Sequence, residues 1–220
     1  MTEIEAIKAR HSVRKYTGEP IAEDKVELLK EFIAGCNSDG KLNFQLCEDA
    51  GNTFNKLLNK AMGLGSAPAV IACIGPDEPG LDERIGYYGQ KIVLYAQMLG
   101  LNTCWAGTFN RKNMPAQPGQ GEKLVISIAI GYGENQGKSR KSKTVQQVSK
   151  CIGSRPEWFD FAVEMALLAP TAVNQQKFEI ILEPDETVTF IDKGGVASKV
   201  DLGIVRYNFE VGEAYAKSKL

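Results

Sequence analysis

Two stretches decide how this chain is read: Arg10-His11-Ser12-Val13-Arg14 near its front, and Leu168-Ala169-Pro170-Thr171-Ala172-Val173-Asn174-Gln175-Gln176 toward its back. The first sets two guanidiniums, an imidazole and a hydroxyl within a few residues. A phosphate monoester carries nearly two negative charges near neutral pH. Planar guanidinium binds it through paired hydrogen bonds, and a hydroxyl or imidazole adds another. In extended backbone, side chains alternate, so Arg10, Ser12 and Arg14 point the same way and line one groove. A solvated basic turn is the competing reading of these residues. In the second stretch Pro170 drives Ala169 out of helical geometry. This predicts an extended run on which Thr171, Asn174 and Gln176 offer donors and acceptors. Such groups suit a flat polar heterocycle on a sugar-phosphate chain, and an ordinary helix stop with turn residues is the alternative.

Two further segments belong with these. Trp105-Ala106-Gly107-Thr108 ends a short strand, where small residues let backbone N–H groups approach a ligand plane. A plain turn beside a core tryptophan reads the same way. Lys138-Ser139-Arg140 lies in a Gly-rich loop after a strand and offers more positive charge, or else is simply solvated. The chain has no Walker loop, no G-x-G-x-x-G, no metal motif and no nucleophile elbow or catalytic triad. No residue is assigned a catalytic acid, base or nucleophile role, and no metal is expected.

The bulk properties narrow the class. With 220 residues, 43% hydrophobic and 24% charged, the chain can build one generous domain around a buried core. Its formal net charge of -1 gives no electrostatic drive toward nucleic acid or an anionic membrane. The first residues, MTEIEAIKARHSVRKY, are charged and lack an apolar signal core. The longest apolar runs, Ala67 to Ile74 and Leu124 to Ile130, are too short to span a bilayer. A cytoplasmic location is expected. The five cysteines (Cys36, Cys47, Cys73, Cys104 and Cys151) are odd in number with no C-x-x-C pair, which argues against a disulfide framework or a zinc site. His11 is the single histidine.

Periodicity and punctuation place the elements. Thr2 and Glu5 have capping-box spacing, so a short helix begins at Glu3 and ends near Arg10. A second helix covers about Glu23 to Ala34, and Leu42 to Cys47 alternates as a strand. A third helix runs from Thr53 to Met62, stopped by Gly63 and Gly65. Ala69 to Ile74 reads as a buried strand, and Asp82 to Leu99 as the central buried helix. Strands follow at Thr103–Trp105 and Leu124–Ile130. Pro156-Glu157 opens a helix to Leu168, with Pro in the favoured first turn. Lys177–Leu182 and Thr187–Ile191 form a strand pair, and Val200 to Lys217 is the final helix. The stretch from Glu31 to Leu46 lines up with Met165 to Ile180, and Ile85-Gly86-Tyr87 with Leu202-Gly203-Ile204. Either the chain holds two related halves, 1–150 and 151–220, within a single domain 1–220, or amphipathic helices resemble each other by chance. Cys36, Gly40 and Leu42 stand where the later copy has Pro170, Asn174 and Gln176, so only the later copy looks competent to bind a ligand.

These pieces, in this order, resemble the FMN-dependent nitroreductase family. RHSVR matches its Arg-(Arg/His)-Ser-x-(Arg/Lys) segment and LAPTAVNQQKF its Ala-Pro-Ser-x-x-Asn-x-Gln. GLNTCWAGTF matches Gly-Leu-x-x-x-Trp-x-Gly-x-Phe, and IAIGYGENQGKSR a strand ending in Gly-Tyr with a later basic pair. Two departures stand out. The intact Ala-Pro-Thr copy comes near the C-terminus rather than after the first helix, as in a variant branch with a fused second half. Lys177-Phe178 replaces the usual Pro-Trp. The resemblance implies an α+β sandwich with a mostly antiparallel central sheet flanked by helices. It implies an enzyme in which FMN takes a hydride from NAD(P)H and reduces a nitroaromatic, quinone or similar flat small-molecule acceptor by a ping-pong mechanism. By that resemblance Arg10, Lys138 and Arg140 grip the FMN phosphate. His11 and Ser12 assist along the ribityl chain, and Arg14 lies toward N1 and O2. Trp105, Ala106, Gly107 and Thr108 face the N5 edge, while Pro170, Thr171, Ala172 and Asn174 approach from the other half. A flavin-consuming enzyme resembling dimethylbenzimidazole synthase and a non-catalytic flavin-binding protein are the alternatives. The molecule is expected to be a monomeric pseudo-dimer or a homodimer.

Overall fold

The computed structural model describes residues 1–219. Its helices are α1 (Glu3–Ala9), α2 (Glu23–Gly40), α3 (Leu57–Met62), α4 (Leu81–Met98), α5 (Val145–Val148), α6 (Glu157–Leu167) and α7 (Ser198–Lys217). Its strands are β1 (Gln45–Cys47), β2 (Ala69–Pro76), β3 (Asn102–Ala106), β4 (Glu122–Gly131), β5 (Ser149–Cys151), β6 (Phe178–Leu182) and β7 (Val188–Asp192). The chain divides into two compact units that interleave along the sequence. One comprises Met1–Ala9, Asp82–Gln90 and Arg140–Leu220, and the other Arg10–Leu81 and Lys91–Ser139. Division by compactness therefore differs from division by internal similarity. No helix among the described residues is long and apolar enough to cross a membrane.

The Arg10–Ser139 unit is built on an antiparallel sheet of order β1-β2-β4-β3. β2 is buried along almost its whole length, which explains its unbroken apolar run. Val70, Ala72 and Ile74 on one face join Phe54, Leu64, Phe109 and Met114 in the core. Each fully buried large aliphatic side chain here contributes about 1.5–3 kcal/mol. The other unit holds a three-stranded sheet, β5-β6-β7, in which β5 and β6 are parallel and β6 and β7 antiparallel. Phe159 and Phe190 pack edge-on against Phe209 in its core. The fold class is α+β with mostly antiparallel strands, as expected.

Thr2 and Glu5 form the reciprocal cap read from their spacing. Other boundaries move. α2 continues six residues past Ala34, because the buried stripe Val26, Leu29, Ile33, Cys36 and Gly40 persists. Asn37, read from sequence as part of a break, instead clasps Phe44: its side chain accepts from Phe44 N at 2.7 Å and donates to Phe44 O at 3.0 Å. α3 begins at Leu57 rather than Thr53, since Thr53 lies in a turn whose hydroxyl donates to Asn113 O. Pro156 is the N-cap of α6, one residue before the first turn. α5 and β5 carry no periodic signal of their own and were not expected from the sequence.

Within the first-named unit, α4 and α7 cross at two glycines. A Cβ on Gly86 would lie 2.0 Å from Val200 O, and a Cβ on Gly203 would lie 2.0 Å from Glu83 O. The contact is reciprocal, because each glycine abuts the carbonyl three residues before the other. Beyond the crossing, buried Gln90 donates to Asn208 at 3.0 Å, and Asn208 donates to Met165 O at 3.1 Å.

Candidate functional site

In the Arg10–Ser139 unit, the basic segment follows α1 and lies along β3. Ser12 bridges Thr103 in parallel, and Val13 N donates to Thr103 O at 3.1 Å. Val13 turns into the core, and the buried Tyr16 hydroxyl donates to Val13 O and Ala129 O. Burial pushes the Tyr16 phenol far up, so it remains a donor. The segment is therefore a fixed edge rather than a loose turn. Arg10 is buried, His11 and Ser12 are half-buried, and Arg14 is exposed. The expected single row of Arg10, Ser12 and Arg14 is thus graded in depth, since Arg10 sits where the chain leaves α1. Burial raises the Cys104 thiol on β3 against the pull of the nearby Arg14 and Arg10 charges.

The loop after β4 folds onto this edge. Gly137, with φ of +78°, passes so close to His11 that a Cβ would come within 2.6 Å of the His11 Cβ. This close approach sets exposed Lys138 beside the segment. Asn102 anchors the same loop, accepting from Gly133 N and donating to Gln136, both at 3.0 Å. Asn102 carries no motif signal, and only its long-range bonds reveal it. At the end of β3, Trp105 is half-buried, Ala106 is buried, and Gly107 and Thr108 are exposed. The buried indole N–H of Trp105 has no acceptor among the described residues, an unsatisfied donor of the kind a bound polar edge would satisfy.

The other unit holds Arg140 and the segment after α6. Half-buried Arg140 donates from one terminal nitrogen to Leu167 O at 3.0 Å and also to Ala169 O, satisfying carbonyls at the helix end. Burial lowers its pKa. The extended run expected after Pro170 is absent. Thr171 is extended, but Ala172–Asn174 forms a tight 3-10 turn in which Val173 takes φ 44° and ψ 26°. Asn174 and Gln176 are also left-handed. Three non-glycine residues there, one β-branched and exposed, mark stored strain.

Two residues hold the turn, of which sequence reasoning missed Asp201. Gln176, read as offering a donor and an acceptor to a ligand, is instead buried. Its carbonyl oxygens accept from Ser142, Lys143 N and Lys143 Nζ, and its Nε2 donates to Asn174 and Lys141 O. Asp201, from the first turn of α7, accepts Ala172 N on both oxygens at 3.0 Å and Gln175 Nε2 at 2.7 Å. Thr171 Oγ1 accepts from Gln176 N, and Asn174 Nδ2 donates to Lys141 O. The three side chains expected to face a ligand, Thr171, Asn174 and Gln176, are therefore engaged internally.

The sequence profile of the family described as "Putative TM nitroreductase" matches residues 3–213. The chain belongs to this nitroreductase family. A comparison with curated proteins gives no match. Among solved structures, one described as a putative nitroreductase from Thermotoga maritima MSB8 is 22% identical with a TM-score of 0.66, covering 96% of this chain and 83% of that one. One from Desulfovibrio desulfuricans, described as a putative nitroreductase in complex with FMN, is 19% identical with a TM-score of 0.53, covering 71% of this chain and 98% of that one. These likenesses establish the fold. Family membership makes this nitroreductase an oxidoreductase.

Burial lifts the Asp201 carboxyl of this nitroreductase to about 6, with nearby Asp192 adding to the rise and the bonds from Gln175 and Ala172 opposing it. An unfolded aspartate titrates near 3.8. The native state therefore holds the proton more tightly, so this contribution is fully present below about pH 4 and lost as pH rises through about 6. Its size is about 3 kcal/mol. Asp201→Asn removes it. In urea unfolding, the stability of the native chain minus that of the variant falls between pH 4 and 6; parallel profiles would refute the assignment.

Proposed function

We propose that this nitroreductase binds FMN and uses it to pass reducing equivalents from NAD(P)H to a flat acceptor, a nitroaromatic, a quinone or a similar small molecule. The supporting observation is the fixed cationic edge: Arg10–Arg14 laid along β3, with the Lys138 loop pressed onto His11 by Gly137. The donor set fits the cofactor. Arg10 and Lys138 suit the phosphate, His11 and Ser12 the ribityl hydroxyls, and Arg14 the electron-rich pyrimidine edge, where a cation favours the reduced ring. Backbone N–H groups at Ala106, Gly107 and Thr108 suit the opposite ring edge. In the other unit, Arg140 keeps guanidinium donors besides the nitrogen that holds the end of α6, and Pro170, Thr171, Ala172 and Asn174 belong to a rigid turn whose polar side chains are internally bonded. When bound, FMN supplies the hydride and electron chemistry, so the protein needs no catalytic acid or nucleophile. What the chain must do is bind, orient and keep one ring face open.

We also read the chain as two related halves. α2 and α6 begin at Glu23 and Glu157, the same 134-residue spacing that aligns the repeat, and the reciprocal Gly86–Gly203 crossing is what a local two-fold would produce. A crossing of this kind within one chain performs the work of a homodimer contact, which favours a monomer. The test of function is a visible spectrum of the freshly purified protein, before and after anaerobic NADH and then a nitroaromatic. Oxidised-flavin bands, bleaching and recovery are expected. A protein that stays colourless after incubation with excess FMN would refute the proposal.

A further inference from the structure

In the unit containing the chain's N-terminal helix, a depression of about 420 Å³ opens between the start of α1, Tyr87 of α4 and the far end of α7. Its walls are Glu3, Tyr87, Tyr207, Glu210, Val211 and Tyr215. The α7 residues recur at three- and four-residue spacing and so share one helix face. The rings of Tyr87 and Tyr207 meet edge-on, with centroids 5.1 Å apart. Tyr87 Oη donates to Glu210 at 2.6 Å, and Tyr207 Oη donates to Glu3 at 2.5 Å. Burial and the bond to Glu210 push the Tyr87 phenol well up, so it stays a donor.

Each carboxylate is thus held by a phenol, and among the described residues neither forms an ion pair. The basic side chains nearby on α1 and α7 are engaged elsewhere. Arg206 pairs with Glu83 at 3.1 Å, Lys217 pairs with Glu213 and covers Trp158, and Lys8 lies over Phe161. Two carboxylates that form no ion pair among the described residues therefore stand at a largely apolar hollow beside the Tyr87 and Tyr207 rings, while Tyr215, stacked on Phe161, marks its edge. Ring faces and carboxylates attract the same class of ligand, a bulky and weakly hydrated cation. The rim already shows that preference, because the Lys219 ammonium lies 5.4 Å over the Tyr215 ring.

We propose that this depression binds an organic ammonium ion of the quaternary or alkylamine class, at a site independent of the cationic segment along β3. The two are chemical opposites, so an ammonium ligand would not compete for the arginine-rich edge.

The test compares choline with 3,3-dimethylbutan-1-ol, which has the same shape with carbon in place of the charged nitrogen. Each is titrated calorimetrically into the full-length purified chain. Choline binds saturably, and the neutral isostere binds at least about tenfold more weakly. Glu3→Gln and Glu210→Gln each weaken choline about tenfold. Both preserve the fold, since the amide oxygen still accepts the phenol, and circular dichroism and thermal melting check this. Lys219→Ala leaves binding unchanged or tighter by removing a resident cation. Equal affinity for the two probes, absence of saturable choline binding, or choline affinity unmoved by both glutamine variants would overturn the proposal. So would a concentration-dependent dimer that the same variants disperse, which would assign the face to a second copy of the chain. None of these outcomes bears on the flavin spectrum, so the two readings stand or fall separately.

Discussion

Arg14→Ala combined with Lys138→Ala yields a folded protein that no longer retains FMN through gel filtration. Both side chains are exposed, so their removal changes stability by no more than about 0.5 kcal/mol each. Each charge-assisted hydrogen bond to the cofactor contributes about 1.5–3 kcal/mol, and every 1.4 kcal/mol is about tenfold in affinity. The double variant should therefore bind FMN about a hundredfold more weakly or worse, as read by quenching of flavin fluorescence. Arg10 and Arg140 are poorer choices for this experiment. Arg10 is buried, and Arg140 holds the carbonyls of Leu167 and Ala169. Truncating either would mix a folding defect with a binding defect. Undiminished FMN retention in the double variant would remove the cationic edge from the site.

Gly203→Ala destabilises the chain by about 3 kcal/mol or more, and Gly86→Ala does the same. The new methyl would sit 2.0 Å from a backbone carbonyl of the facing helix, and backbone cannot rotate away as a side-chain tip can. The helices must separate or bend, losing close-packed contact along the crossing. Against a total stability of roughly 5–15 kcal/mol this is a large loss. Helix propensity alone has the opposite sign, because alanine is favoured over glycine by about 1 kcal/mol in a helix interior. Gly35 in α2 is the control. A Cβ there meets nothing within 4 Å, so Gly35→Ala should stabilise the protein. Urea titration of the three variants separates the effects, and a Gly203→Ala protein as stable as its parent would show that the crossing is looser than drawn.

The legible part of the fold followed from local rules. β2 and β4 were visible as apolar runs bounded by turn residues, the long helices from their stripes, and the first helix from Thr2 and Glu5. The length of α2 was misjudged for a physical reason. Cys36-Asn37-Ser38-Asp39-Gly40 has breaker composition, yet Cys36 and Gly40 find burial and Asn37 finds the backbone of Phe44. Local propensity was overridden by contacts made with distant chain. The same holds at the candidate site. The identity of RHSVR, the Trp105 strand end and the Ala-Pro-Thr segment was readable, and with it the family. Asp201 was not, since an aspartate in the first turn of a helix is ordinary composition. Its importance arises because Ala172 and Gln175, distant in sequence, bring their donors to it.

Residue order alone was enough for most of the helices and strands, the mixed fold class and the candidate phosphate-binding chemistry. Those are local or pairwise properties, written in periodicity, capping and residue type. Only the tertiary structure decided which polar groups stay available and which are engaged: that Arg140 closes a helix end, that Gln176 and Asp201 hold a strained turn, and that Gly86 and Gly203 meet. Burial and hydrogen-bond partnership depend on what lies across space, and a buried donor takes whatever acceptor folding brings to it.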